Sequence, residues 1–166
     1  MKKIIIALFV VLGVATNVSA QKFGHVDTQS IMQSLPDVTK ANGELQATAQ
    51  QYENELKSMQ EELQRQAEDF DKKKATMSAT EQQTTQTKLE EMYTKIQQAY
   101  QQNQQDIQKK QEELMAPIYK RVKTAIENVG KAGNYTYIFE STNPLYIGAS
   151  STDVTSAVKA EINKLK

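Results

Sequence analysis

Cysteine is absent from this chain, which excludes a disulfide framework, a zinc–thiolate site and a cysteine nucleophile. Histidine occurs once, at His25, too few for a multi-histidine metal centre. Glycine (6) and proline (3) are scarce and aromatics make up only 7%, so the chain is neither collagenous nor a Pro/Gly-rich disordered segment. No sign of charge dominates either. Twenty Lys+Arg face twenty Asp+Glu, and nucleic acid is not an expected partner without the basic field that holds phosphates. The glycines, at 13, 24, 43, 130, 133 and 148, build no phosphate-cradling loop. No Ser-His-Asp arrangement is visible around His25, and the acids are scattered over solvated helical positions. No enzyme, cofactor or metal site is therefore expected.

What is abundant is glutamine: 20 of the 166 residues, with a mean hydropathy of −0.62. A Gln-rich, Gly-poor chain with few apolar residues points to long solvated helices more than to a compact core. The amino terminus is the exception. Met1-Lys2-Lys3 is cationic, Ile4 to Val14 is apolar apart from Gly13, and Val18-Ser19-Ala20 is a small-x-small cleavage triplet. Residues 1–20 read as a signal peptide cut after Ala20, too short for a transmembrane helix and followed by no lipidation cysteine. The expected location is the periplasm.

From Val38 onward a heptad seam appears. Leu45, Tyr52 and Met59 form one row, and Ala49, Leu56, Leu63, Phe70 and Met77 the other. A second seam follows residue 80 through Leu89, Tyr93, Ile96, Tyr100, Ile107 and Leu114, interrupted by Asn103 and Lys110. Between them Ser78 and Glu81 have the spacing of a capping box, so one helix stops near Thr76 and another starts near Ser78. Pro36 and Pro117 bracket two arms of nearly equal length, each reaching about 60 Å at 1.5 Å per residue. Equal arms suit an antiparallel coiled-coil hairpin over residues 37–116. Met92 and Ala99 fall off this seam, seven residues apart, and are the apolar client-contact candidates; the seam aromatics read as packing. Lys72, Lys73 and Lys74 could touch an anionic envelope surface, although a short charge run is usually a solvated face.

The two ends supply a small β-rich head, residues 21–36 with 117–166. Lys22 to Asp27 is a strand candidate, Ser30 to Leu35 a short helix, and Tyr135 to Glu140 is dense in β-formers. Asn143-Pro144 turns the chain into Leu145-Tyr146-Ile147, the expected third strand, and a last helix after Thr155 aligns Val158, Ile162 and Leu165. So small a head is marginal alone, and pairing of strand edges between chains would stabilise it. Phe23, Val26, Tyr135, Tyr137, Phe139, Leu145 and Tyr146 are the candidates for that oligomer contact. The fold class is α+β, mostly α.

The order of these parts resembles the Skp (OmpH) family of periplasmic chaperones across the whole mature chain. The resemblance rests on Pro117-Ile118 through Ala125-Ile126, Gly133-Asn134-Tyr135-Thr136-Tyr137-Ile138-Phe139, Leu145-Tyr146 and Asp153-Val154-Thr155. Val26-Asp27 with Gln29 and Ile31, and Met77-Ser78-x-x-Glu81 at the hairpin turn, add to it. The resemblance implies a homotrimer with a β-barrel-like body and three helical hairpins around a cavity. Unfolded outer-membrane β-barrel proteins would be held there without ATP. One departure stands out: family members are strongly basic, whereas residues 66–95 here carry five lysines and six acids. Lipopolysaccharide binding is therefore not carried over. The competing reading is an exported coiled-coil spacer that binds one folded envelope partner.

Overall fold

The computed structural model describes residues 21–165, so the expected export segment lies outside the described residues. In chain order the elements are β1 (Phe23–Val26), α1 (Thr28–Ser34), α2 (Pro36–Lys73), a 3-10 turn (Lys74–Thr76), α3 (Ala79–Ala132), β2 (Tyr137–Glu140), β3 (Thr152–Asp153) and α4 (Thr155–Ile162). They form two compact units, residues 21–27 with 125–164, and residues 28–124.

In the first unit β1 is the central strand of a three-stranded parallel sheet, ordered β2-β1-β3. Phe23 lies opposite Tyr137, and His25 opposite both Phe139 and Asp153. Side chains alternate across a strand, so Gly24 and Val26 are buried while Phe23 and His25 stay half-exposed on the other face. Val26, Ala125, Val154, Val158 and Ile162, each at most 3% exposed, are the buried apolar residues of this unit. The third strand is Thr152–Asp153 and not Leu145-Tyr146-Ile147. Both edges of β1 are occupied by β2 and β3, so residues 145–147 find no open edge on it and remain loop.

The end of α3 is fixed by local chemistry. Asn134 takes a left-handed conformation (φ 51°), its N–H donates to Lys131 O, and the Tyr135 N–H donates to Gly130 O. This is a Schellman ending with asparagine in the place glycine usually fills. Gly133 serves another purpose: a Cβ there would stand 2.4 Å from Tyr135 Cε2, and one on Gly24 would stand 3.1 Å from Tyr135 Cε1. Lys22 closes the same site, its Nζ 4.1 Å from the Tyr135 ring centre and donating to Gly133 O at 3.0 Å.

In the second unit Pro36 opens α2 at a position where its missing N–H costs nothing, and Asp37 sits in the first turn. Ser78 and Glu81 form the capping box of α3. The Ser78 N–H and Oγ donate to Glu81 Oε2 at 2.8 and 2.7 Å, and the Glu81 N–H donates back to Ser78 Oγ at 3.3 Å. These bonds hold the Glu81 carboxyl below its ordinary range. The helix then runs unbroken for 54 residues, passing through Pro117, where a boundary was expected. A mid-helix proline forfeits one backbone bond and crowds the preceding turn, at a cost of ~3 kcal/mol. Burial of Ile118 and Val122 (7% and 4% exposed) just beyond it, and an ion pair between Arg121 and Asp37, offset that cost.

Side chains of α2 and α3 come together where Asp37 meets Arg121 and where Ser58, Met59 and Glu62 lie beside Met92, Lys95 and Ile96. In the connection between the helices the Gln82 amide donates to the carbonyls of Lys74 and Met77. The α2 seam lies where periodicity places it, with both of its rows half-buried. The α3 seam does so except at its two tyrosines. Leu89, Ile96, Asn103, Ile107, Lys110 and Leu114 are buried or half-buried, whereas Tyr93 and Tyr100 are exposed by 58% and 55% and Met92 and Ala99 are half-buried. Sequence reasoning put the tyrosines on the seam and Met92 and Ala99 off it; the structure exchanges them.

Candidate interaction surfaces

The first surface is the outer face of the sheet. The rings of Phe23, Tyr137 and Phe139 stack on one another, with centroids 5.7 to 6.5 Å apart and interplanar angles of 8° to 24°. Parallel register produces this cluster, because Phe23 pairs with Tyr137 and the next residue on that face, His25, pairs with Phe139. Tyr137 is nonetheless 57% exposed and Phe139 45%. Beside them the 143–151 loop presents Leu145 and Tyr146, 108% and 84% exposed. Between loop and sheet lies a cleft of about 430 Å³ lined by Phe23, His25, Phe139, Pro144, Tyr146 and Ser151 among others. An apolar surface of this kind on so small a unit marks an interaction site.

Five of the seven residues expected to mediate oligomer contact, Phe23, Tyr137, Phe139, Leu145 and Tyr146, share this exposed region. Two do not. Val26 is 3% exposed because it alternates onto the inner face of β1. Tyr135 precedes β2 and is held by Lys22, Gly24 and Gly133. Val26 cannot meet a partner without unpacking the unit, and Tyr135 stays half-exposed away from the stacked rings.

His25 brings an arrangement invisible in the sequence. Its Nδ1 lies 3.0 Å from Ser151 Oγ, a residue 126 positions away, and Asp153 is its register partner on β3. The roles are nevertheless not those of a hydrolytic triad. There the nitrogen facing serine is Nε2 and the carboxylate orients Nδ1. Here Asp153 accepts the Thr155 N–H at 2.8 Å, and hydrogen bonds from Thr155 hold its carboxyl below the ordinary range.

The second surface lies on α2 and α3. Met92 is half-buried in a crevice beside Met59 and Ile96, which removes most of its surface from any client. Ala99 is half-buried at the edge of a shallow polar area with Lys95, Gln98 and Gln102. Lys72, Lys73 and Lys74 are exposed at the end of α2, where Lys73 pairs with Asp69 at 2.7 Å and Lys74 with Asp71 at 2.8 Å. Those carboxylates neutralise two of the three charges and weaken attraction to an anionic surface.

The sequence of residues 22–162 matches the family described as outer membrane protein (OmpH-like). The chain belongs to the OmpH-like family. Among solved structures, a crystal structure of a Caulobacter crescentus protein described as an OmpH-like outer membrane chaperone has the same fold. Its TM-score is 0.76 at 18% identity, over 87% of this chain and 85% of that one. No curated protein matches the chain significantly. Among the described residues, no helix of this OmpH-like chain is long and apolar enough to cross a membrane.

Proposed function

We propose that this OmpH-like protein is an ATP-independent periplasmic holdase. It takes up unfolded outer-membrane β-barrel proteins between helical arms and prevents their aggregation on the way to the outer membrane. The observation that carries the reading is the family match, which spans strands and long helices alike rather than one motif. The description of the Caulobacter structure as an outer membrane chaperone supports it. In this reading α2 and α3 form an antiparallel hairpin arm. The stacked face of Phe23, Tyr137 and Phe139, with Leu145 and Tyr146, joins three chains into a barrel-like body, and the client sits in the cavity between three arms. Many weak contacts tethered on one trimer raise effective concentration without tight binding at any point, so the client leaves without ATP.

The test has two parts. Sedimentation of the mature protein should give a trimer, and a folded monomer would remove the cavity on which holding depends. Several unrelated unfolded β-barrel proteins, diluted from denaturant, should stay soluble in its presence. Protection of none of them, beside tight binding to one folded envelope protein, would favour a structural spacer.

A further inference from the structure

The outward face of α3 carries a stripe that packing against α2 leaves unused. Tyr93, Gln97, Tyr100 and Gln104 follow at i, i+4, i+7 and i+11, and all four are exposed. At 1.5 Å per residue the stripe is roughly 16 Å long, enough for about five residues of extended chain. Tyrosine is a weaker helix former than the Gln, Glu and Lys around it, so two tyrosines at solvated positions one heptad apart gain the helix nothing.

Charge is scarce along most of this stripe. From Ile96 to Gln105 there is no charged residue, and Lys95 borders the crevice with Ser58 and Met59 instead. Charge resumes on either side along α3, with Glu90, Glu91 and Lys95 around Tyr93 and with Asp106 and the Lys109–Glu113 pair beyond Gln104. A charged peptide segment laid along the Gln97 to Gln104 part of this face would lose hydration and meet no counter-charge within residues 96–105. An uncharged segment loses little, because its aliphatic or aromatic side chains pack on the tyrosine rings. Its unpaired backbone N–H and C=O groups find both donors and acceptors in the Gln97 and Gln104 amides. We propose that Tyr93, Gln97, Tyr100 and Gln104 form the strip that grips uncharged extended segments of unfolded protein, the type of segment that becomes a membrane-spanning β-strand. This assignment rests on the holdase reading and names the side chains that perform it.

The experiment uses the full mature protein and two dye-labelled ten-residue peptides, read by fluorescence anisotropy. One peptide alternates Leu, Tyr and Val with Thr, Ser and Asn; the other carries Asp at two of the polar positions. The Y93Q/Y100Q double variant, whose helix content is checked by circular dichroism, should bind the neutral peptide roughly tenfold more weakly, the loss expected of two ring contacts. Y93F/Y100F should retain binding, and the Asp peptide should bind weakly to all three proteins. Neutral-peptide affinity unchanged in Y93Q/Y100Q overturns the strip, and so does equal affinity of wild type for both peptides. Either result leaves the holdase reading intact if wild type keeps unfolded barrel proteins soluble. Wild type that binds neither peptide nor barrel protein overturns both.

Discussion

The exchanged seam on α3 makes a sharp energetic prediction, because Ile96 and Tyr93 are three residues apart on one helix and differ in which way they face. Ile96 is 6% exposed. Truncation to alanine removes three carbons worth ~0.8 kcal/mol each in transfer free energy. Part of the resulting cavity persists against Met59 and Met92, which raises the expected cost of Ile96→Ala to about 3 kcal/mol. Tyr93 is 58% exposed, and residues one turn away on its own helix are within reach of its ring. Such i,i+4 contacts are worth about 0.2–0.5 kcal/mol. Alanine's better helix propensity returns a similar amount, so Tyr93→Ala should change stability by less than ~0.5 kcal/mol. Urea unfolding followed by circular dichroism at 222 nm, at one fixed protein concentration so that any association between chains contributes equally, separates the two. Tyr93→Ala as damaging as Ile96→Ala would show that the tyrosine row is the packed one, and the proposed client strip would then be buried.

Three further outcomes follow from the local chemistry. Ser78→Ala should lower stability by about 1 kcal/mol through loss of the α3 cap, with hydrogen exchange accelerating first in residues 79–83; protection unchanged there would contradict a capping role. Gly133→Ala should destabilise the sheet-bearing unit through contact with the Tyr135 ring, and Tyr135→Leu in the same chain should recover part of the loss; additive losses in the double variant would rule out that clash. Asp153 and Glu161 are held below their ordinary values of 3.8 and 4.5, Asp153 by Thr155 and Glu161 by Lys164 and Asn128. A depressed carboxylate stabilises the fold above its unfolded value and loses that contribution as pH falls through the folded one. Stability should thus decline from about pH 4.5 downward, and Asp153→Asn should make the decline shallower; an acid titration superimposable on wild type would assign the loss to other groups.

Much of the helical part was legible in the sequence because its signals are local. The Ser78–Glu81 spacing located the break between the long helices, and heptad spacing placed the α2 rows. The α3 seam departs from its expected course only at Tyr93 and Tyr100, and for a reason of principle. From Leu89, both the Tyr93-Ile96-Tyr100 path and the Met92-Ile96-Ala99 path alternate steps of three and four, so periodicity cannot choose between them. Size favoured the tyrosines; the geometry of contact with α2 favours the slimmer Met92 and Ala99. Pro117 misleads in a similar way, since its local cost is real and burial of Ile118 and Val122 beyond it, with the Arg121–Asp37 ion pair, offsets that cost. The sheet was harder. Thr152–Asp153 is a strand of two residues with no apolar pattern, and it exists because β1 offers it an edge. The His25–Ser151 contact depends on that pairing and could not be seen from either residue.

The two surfaces differ in a way that suits different partners. On the sheet face three rings already stack with one another, preorganised by strand register and flanked by Leu145 and Tyr146. Little conformational entropy remains to be lost there on association, which favours one defined and lasting partner, and a further copy of the same chain satisfies that requirement. On α3 the two rings are separated by two helical turns and surrounded by glutamine amides with several free rotamers. Ordering those side chains opposes tight binding, while their paired donor and acceptor capacity accepts almost any backbone. A surface of the second kind discriminates by charge and exposure rather than by shape. That selectivity is what an unfolded chain, which has no fixed shape to recognise, demands of whatever holds it.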